Sequence, residues 1–446
     1  MRKTNTVSLV CLCIMVVVIA SCRPISKDGS VDIVEVDARE LLVLGGELDQ
    51  AELLAPGREQ DQTVRAVADG ANDFAFRLSA SLIKNLGNEN FVCSPYSVWL
   101  PLAALVNATN SQNKAALLTA LGASGISEED INRAASRMLY DLTNVWYKDN
   151  GYEYNNPLKI VNAIFVGNNV NLRNDFVQTF MNFYRGSSIN VDFSSSAAVD
   201  AVNRWASENT NGLITNLVQE FDPETVAAIA NAIYFSDRWQ REFKPEETKE
   251  GVFHAAAGDR TAFYMLREGD RQRYYEDSRV QAMPLFMNDG GLYIILPKTG
   301  SAVELLSSMS NEYFNEIQTG ATWETGKLLL PRFSIENDTQ SLKAALEGLG
   351  VPLFNEDTAP LTAGLVQGNE SVWLSDAMQK AVIHVDEKGT TAAAVTDLAA
   401  YALGIRPQPT RLFEMICDRP FVFILYDYIY DGGNQILFTG IVNEPK

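Results

Sequence analysis

Three observations on this 446-residue sequence predict an α+β domain. Helical periodicities and strand-like apolar runs are interleaved rather than segregated. The strand-like runs lie far apart in the chain, so their pairing must be non-local, and neither an internal repeat nor a low-complexity block is present. With 46% hydrophobic and 21% charged residues, the chain can bury a large core beneath an ordinary polar surface.

The amino end reads as a leader. Arg2 and Lys3 precede an apolar run from Val7 to Ala20, short for a membrane span. Ile19-Ala20-Ser21-Cys22 then resembles a bacterial lipoprotein cleavage site, which predicts a signal peptide over 1–21 and lipid attachment at Cys22. Residues 22–68 are acidic, poor in aromatic residues and broken by Gly45-Gly46 and Pro56-Gly57. They are expected to form a flexible tether with an end-to-end distance of about 35–40 Å. The expected location is across the inner membrane, lipid-anchored at the outer membrane or cell surface.

The domain proper is assigned to 69–446. Phe74, Leu78 and Leu82 recur at i, i+4 and i+8, a helix that Gly87 is placed to end. Ser94-Pro95 offers an N-cap followed by proline at the first helical position, and Pro101 predicts a kink or early break. Ser111–Leu121 reads as a helix closed by Gly122. Strand-like runs follow over Lys159–Val166, Thr225–Phe235, Leu292–Leu296, Lys327–Leu330 and Lys380–Val385, with helices around Ala198–Glu208 and Thr339–Gly348.

Charge and motifs exclude several classes of function. With 56 acidic against 36 basic residues the net charge is −20, and no Lys/Arg run exists, so nucleic acid is not a partner. Of five cysteines, Cys11 and Cys13 would leave with the leader, while Cys93 and Cys417 sit in apolar runs as small buried hydrophobes. No CxxC pair or Cys/His cluster suggests a metal, and no cofactor motif is present. The two histidines, His254 and His384, have no nucleophile beside them in sequence, which argues against an enzyme.

The segment Asp386–Thr396 is the most informative. Glu387-Lys388-Gly389 forms a polar hinge, with Gly389 open to backbone angles closed to other residues. From Thr390 onward the side chains are small; at period two, Thr390, Ala392, Ala394 and Thr396 share one face, with Ala393 on the other. Such a loop can become a strand.

Together with five further motifs in order, this segment resembles that of a serpin. Asn90–Ser97 resembles the family's entry to helix B, and Asn231-Ala232-Ile233-Tyr234-Phe235 with Trp239 its third strand of the large sheet. Leu330-Pro331-Arg332-Phe333, Leu346–Val351 and Phe438–Val442 fall in the matching order, and the resemblance runs from about Ala71 to Lys446.

The resemblance implies a serpin fold: a large central mixed or antiparallel sheet, two further sheets, eight or nine helices and an exposed reactive loop. It implies a suicide inhibitor that traps a serine or cysteine endopeptidase as an acyl complex when the cleaved loop inserts into the sheet. Counted along a full sheet length from Glu387, the bait bond is Leu403-Gly404. Tyr401, Ala402 and Arg406 are alternatives, although Pro407 impedes attack after Arg406. Leu or Tyr suits chymotrypsin-like, subtilisin-like or papain-like pockets, and Ala402 an elastase-like one. Ser94, Ser97, Asn231 and Gln379 fall at the family's shutter, where Gln379 replaces the usual histidine, and Trp239 falls at its breach. The chain is expected to be a monomer. Only Arg133, Arg137 and Lys148 are basic over 128–150, too few for polyanion activation. The rival reading is a non-inhibitory serpin acting as a surface-binding or chaperone-like lipoprotein.

Overall fold

Runs that are apolar on both faces build the centre of the molecule. The computed structural model describes residues 9–21, 58–143, 158–168, 170–222, 224–287, 290–358, 360–367, 371–388, 412–429 and 433–445. The strands are β1 (Leu9–Ser21), β2 (Phe91–Cys93), β3 (Leu158–Gly167), β4 (Gly186–Val191), β5 (Thr225–Asp237), β6 (Lys249–Ala255), β7 (Gly258–Glu276) and β8 (Val280–Phe286). They continue with β9 (Gly290–Pro297), β10 (Thr322–Pro331), β11 (Phe333–Glu336), β12 (Gln340–Ser341), β13 (Val372–Val385), β14 (Leu412–Ile416), β15 (Phe421–Ile429) and β16 (Gly433–Val442). The principal helices are α1 (Arg58–Leu82), α2 (Pro95–Leu105), α3 (Ser111–Ala120), α4 (Glu128–Thr143), α5 (Asn174–Tyr184), α6 (Ser196–Asn209), α7 (Ala302–Ser307), α8 (Asn311–Gly320) and α9 (Lys343–Gly348).

The large sheet has the order β11-β13-β1-β5-β3-β4, with β12 also on β13. Only β3 and β4 run parallel among its hydrogen-bonded neighbours. The other two sheets share the long strand β7. Its body pairs with β6 and β10, and β14 lies parallel on β10. Its last residues, Tyr275 and Glu276, pair with β8, which leads through β9, β15 and β16 to β2.

Helix α2 lies between the large sheet, at β5 and β1, and β16, and α1 packs on α2 and β16. Every residue of α2 is buried, with Tyr96 and Trp99 among the largest enclosed side chains. Burying each such aromatic contributes about 1.5–3 kcal/mol. This enclosure corrects the expectation of an early break at Pro101: the helix continues through it to Leu105. The proline removes one helical N–H, but breaking the helix would unpack both of its neighbours. Ser94 holds the N-cap position without capping, because its hydroxyl donates to the Leu437 carbonyl at 2.8 Å instead.

Other boundaries shift as well. Helix α1 already begins at Arg58, inside the stretch expected to be tether, and α9 begins at Lys343 rather than Thr339 because β12 intervenes. Helix α3 ends as expected, with Gly122 at φ +74°; a Cβ on Gly70 of α1 would lie 2.2 Å from the Gly122 carbonyl oxygen. On the opposite face of the large sheet, Ala198, Val202 and Ala206 of α6 share one core cluster with Ala228, Ala230 and Ala232 of β5 and Val382 of β13. Among the described residues, no helix is long and apolar enough to cross a membrane.

The amino-terminal apolar run is not set apart from the domain. Leu9–Ser21 is the strand between β5 and β13, antiparallel to both. Its composition suits that place as well as it suits a leader, since Val and Ile favour a buried strand.

Candidate functional site at the centre of the large sheet

Two clusters of polar residues mark the line along which β5, β1 and β13 lie. In the middle of β13, Gln379 is 1% exposed and points at α2. Its amide nitrogen donates to the Ser94 carbonyl at 2.9 Å and to the Ser97 hydroxyl at 3.1 Å, while its oxygen accepts from the Ser94 N–H at 3.2 Å. Three expected shutter residues are therefore joined. Ser97 also donates to the Ser94 carbonyl at 3.1 Å.

Asn231, the fourth, is separated from them. Met15 is in register with Gln379 on one side and with Asn231 on the other, and it is fully buried between them. Asn231 instead donates to Asn162 of β3 at 2.8 Å, and Asn162 donates to the Tyr184 carbonyl at 2.7 Å. The Asn231 Oδ1 is buried with no partner among the described residues. Neither Asn162 nor Met15 was legible as part of this site, since both reach it by pairing distant strands.

The second cluster stands where β13 ends. Trp239 Nε1 donates to the Asp386 carbonyl at 2.9 Å, and the Phe243 N–H to the Glu387 carbonyl at 2.9 Å. The Glu387 carboxylate accepts from Arg332 Nε at 2.6 Å and from the Thr248 hydroxyl at 2.5 Å. Burial opposes the charge on Glu387, but these hydrogen bonds together outweigh it and hold the carboxyl below the ordinary carboxylate range. In sequence Arg332 falls inside a motif and Glu387 in the hinge, and the contact that joins them has no local signal. Thr248 carried no signal.

Each histidine has its own partner. His384 Nδ1 is 2.5 Å from the Ser334 hydroxyl on β11, and burial holds its pKa down against the opposing influence of Glu336 and Asp386. His254 is exposed and paired with Asp259 at 2.9 Å. Cys93 and Cys417 are both buried, which pushes the Cys417 thiol up, out of the reactive range. Arg133 and Arg137 are already paired with Glu129 and Asp141, at 2.7 and 2.9 Å. Among the described residues no three His, Cys, Asp or Glu side chains converge as metal ligands. Gly389, Thr390, Ala392, Ala393, Ala394, Thr396, Tyr401, Ala402, Leu403, Gly404 and Arg406 lie outside the described residues, as do Cys22 and Lys148.

The family model described as "Serpin (serine protease inhibitor)" matches residues 69–445. The chain belongs to the serpin family. It is 28% identical to a serpin-like protein of Methanosarcina acetivorans, over 85% of this chain and 86% of that protein. It is 29% identical to plasminogen activator inhibitor 1 of Bos taurus, over 86% of this chain and 94% of that one. Tengpin, a thermophilic serpin in the native state, superposes with a TM-score of 0.70 at 25% identity, covering 84% of this chain and 94% of tengpin. The fold is shared too with Arabidopsis AtSerpin1 in its native stressed conformation, with a TM-score of 0.72 at 24% identity over 86% of this chain and 98% of that one. The serpin fold is thus established, with its large sheet and two smaller ones. The family's description is that of an inhibitor, which agrees with reading the chain as something other than an enzyme.

Proposed function

We propose that this serpin inhibits endopeptidases by a suicide mechanism, in which its loop is cleaved and inserts into the large sheet. The observation that carries this reading is the slot between β5 and β13. That slot accommodates a strand of thirteen residues, antiparallel to both walls. β13 ends at Val385, at the end of the slot where Val10 lies opposite His384. A segment turning back after Lys388 would enter there and run antiparallel to β13. Thirteen residues counted from Thr390 end at Ala402, directly before the expected bait bond Leu403-Gly404.

The chemistry follows from ordinary acyl transfer. The target's nucleophile attacks the Leu403 carbonyl, the bond to the Gly404 nitrogen breaks, and Leu403 is left as an ester or thioester on the protease. Insertion of Thr390–Ala402 gains strand pairing and burial, and carries the protease along before water releases it. A Leu at this position fits chymotrypsin-like and subtilisin-like serine proteases, or papain-like cysteine proteases. Lipid attachment at Cys22 would hold a monomeric inhibitor at the outer membrane or cell surface, clear of it by the tether.

A second reading is a non-inhibitory serpin that binds or chaperones partners at the surface. It is favoured by β1, since a slot already filled has no place for the loop. Incubating the chain beginning at Cys22 with chymotrypsin, elastase, subtilisin, trypsin and papain decides between them. A denaturation-resistant adduct with release of a peptide beginning at Gly404 supports inhibition. Full loop cleavage with no adduct from any of the five rejects it.

A further inference from the structure

We propose that Leu9–Ser21 and the loop segment beginning at Thr390 compete for the same slot, so that a chain retaining its amino-terminal segment is locked against trapping a protease. This rests on the insertion reading above. Four observations carry it.

The first is that the slot is filled along its length. β1 pairs with β5 from Leu9 opposite Asp237 to Ala20 opposite Thr225, and with β13 from Val10 opposite His384 to Ser21 opposite Val372. Each edge of a strand in a sheet takes one neighbour, so nothing else can pair there. The second is Met15. It stands fully buried between Gln379 and Asn231, and Asn231 Oδ1 has no partner among the described residues. If β1 left and the sheet closed, those two amides would face each other on adjoining strands, each able to donate and accept.

The third is composition. The segment holds Val10, Ile14, Val16, Val17, Val18 and Ile19, and no charge, proline or glycine, as a strand buried on both faces requires. The fourth is reach. Residues 22–57 separate β1 from α1 in sequence, and a chain of that length can extend over on the order of 100 Å.

Hydrolysis of the Ser21–Cys22 bond then does more than free an anchor site. It removes the occupant and makes the slot available to the loop. Until that cut, a folded precursor holds its own inserted strand, and the cell that makes it is protected from premature trapping of its own proteases.

The test compares the full chain, leader retained, with the chain beginning at residue 22 and carrying Cys22→Ser. Two full-length variants complete it: Met15→Asp, which places a charge in the buried register between Asn231 and Gln379, and Met15→Leu as a control. Adducts with chymotrypsin and subtilisin are read on denaturing gels, melting by circular dichroism, and protection of the β1 amides by hydrogen exchange. The full chain and Met15→Leu are expected to form no more than about one-tenth of the adduct of the shortened chain, with protected β1 amides and a melting point at least about 10 °C higher. Met15→Asp is expected to return adduct yield and melting point to those of the shortened chain and to leave the β1 amides unprotected, with helix content unchanged. Equal adduct and equal melting of full and shortened chains overturns the proposal. Should the shortened chain trap nothing, the inhibitory reading fails on its own. Melting and exchange still decide occupancy: freely exchanging β1 amides overturn it, and protected ones support it.

Discussion

Arg332 grips Glu387 just beyond the end of β13, with Nε 2.6 Å from the carboxylate. The contact fixes the position from which the loop departs, and Thr248 shares the same oxygen. The two partners are unequally sheltered: the Glu387 side chain is 7% exposed and that of Arg332 is 43%. Loss of the arginine strands a buried carboxylate, whereas loss of the charge on Glu387 leaves a guanidinium that water can reach. Arg332→Ala is therefore expected to destabilise the fold by about 2 kcal/mol and Glu387→Gln by about 1 kcal/mol, read from denaturant midpoints. The reverse order would show that the pair is a surface contact only.

Acid should weaken the same region through two groups. The folded-state pKa of Glu387 is depressed, so its stabilisation is complete above the unfolded value of about 4.3 and is lost as pH falls through the lower folded value. His384 is also depressed, by burial; below about pH 6.5 the unfolded chain takes up a proton that the folded chain resists, so stability declines there first. Melting curves from pH 8 to pH 3 should fall in two steps, with His384→Gln flattening the upper and Glu387→Gln the lower.

Gln379 offers the sharpest test of the central cluster. Truncation to alanine leaves the Ser94 N–H and the Ser97 hydroxyl without their amide partner in a fully enclosed place. The expected loss is about 2–4 kcal/mol by chemical denaturation. Gln379→His, which keeps a donor and an acceptor, should recover at least half of it.

Bulk at the hinge separates insertion from simple cleavage. Ala394→Arg or Thr390→Pro should leave the rate of loop cleavage unchanged and convert the chain to a substrate, with adduct yield falling about tenfold or more because a charge or a missing N–H cannot enter the sheet. Intact mass and gels read both quantities. Undiminished adduct from both variants would remove strand insertion from the mechanism.

Much of the fold was legible because its signals are local. Phe74, Leu78 and Leu82 lie in α1, Gly122 closes α3 at positive φ, and Thr225–Phe235 falls within β5. What escaped depends on partners remote in sequence. Pro101 reads as a helix breaker until the enclosure of α2 is known, and Ser94 reads as a cap until the Leu437 carbonyl arrives from β16. The run from Val7 to Ala20 illustrates the limit best. An uninterrupted apolar stretch has no periodicity to declare helix, strand or leader, and only the two strands beside it reveal what it can pair with. In the candidate site, Ser94, Ser97 and Gln379 were readable in their positions, whereas Asn162, Thr248 and Met15 become members only through three-dimensional pairing.

The alanines at 228, 230 and 232 beneath α6 have a mechanical consequence. Interlocking side chains act as teeth, and a helix seated on teeth must climb out of them before it can shift. Methyl groups at every second position give instead a nearly smooth deck. Because α6 lies over β5 in a cluster that also takes in Val382 of β13, a change in the separation of those strands is felt beneath it. A strand added or withdrawn there widens or narrows the deck by about 4.8 Å. Along β5 the helix meets little friction, and what holds α6 to the sheet is Trp205 edge-on to Phe165 of β3, ring centroids 6.0 Å apart, so a strand added between β5 and β13 leaves that anchor in place.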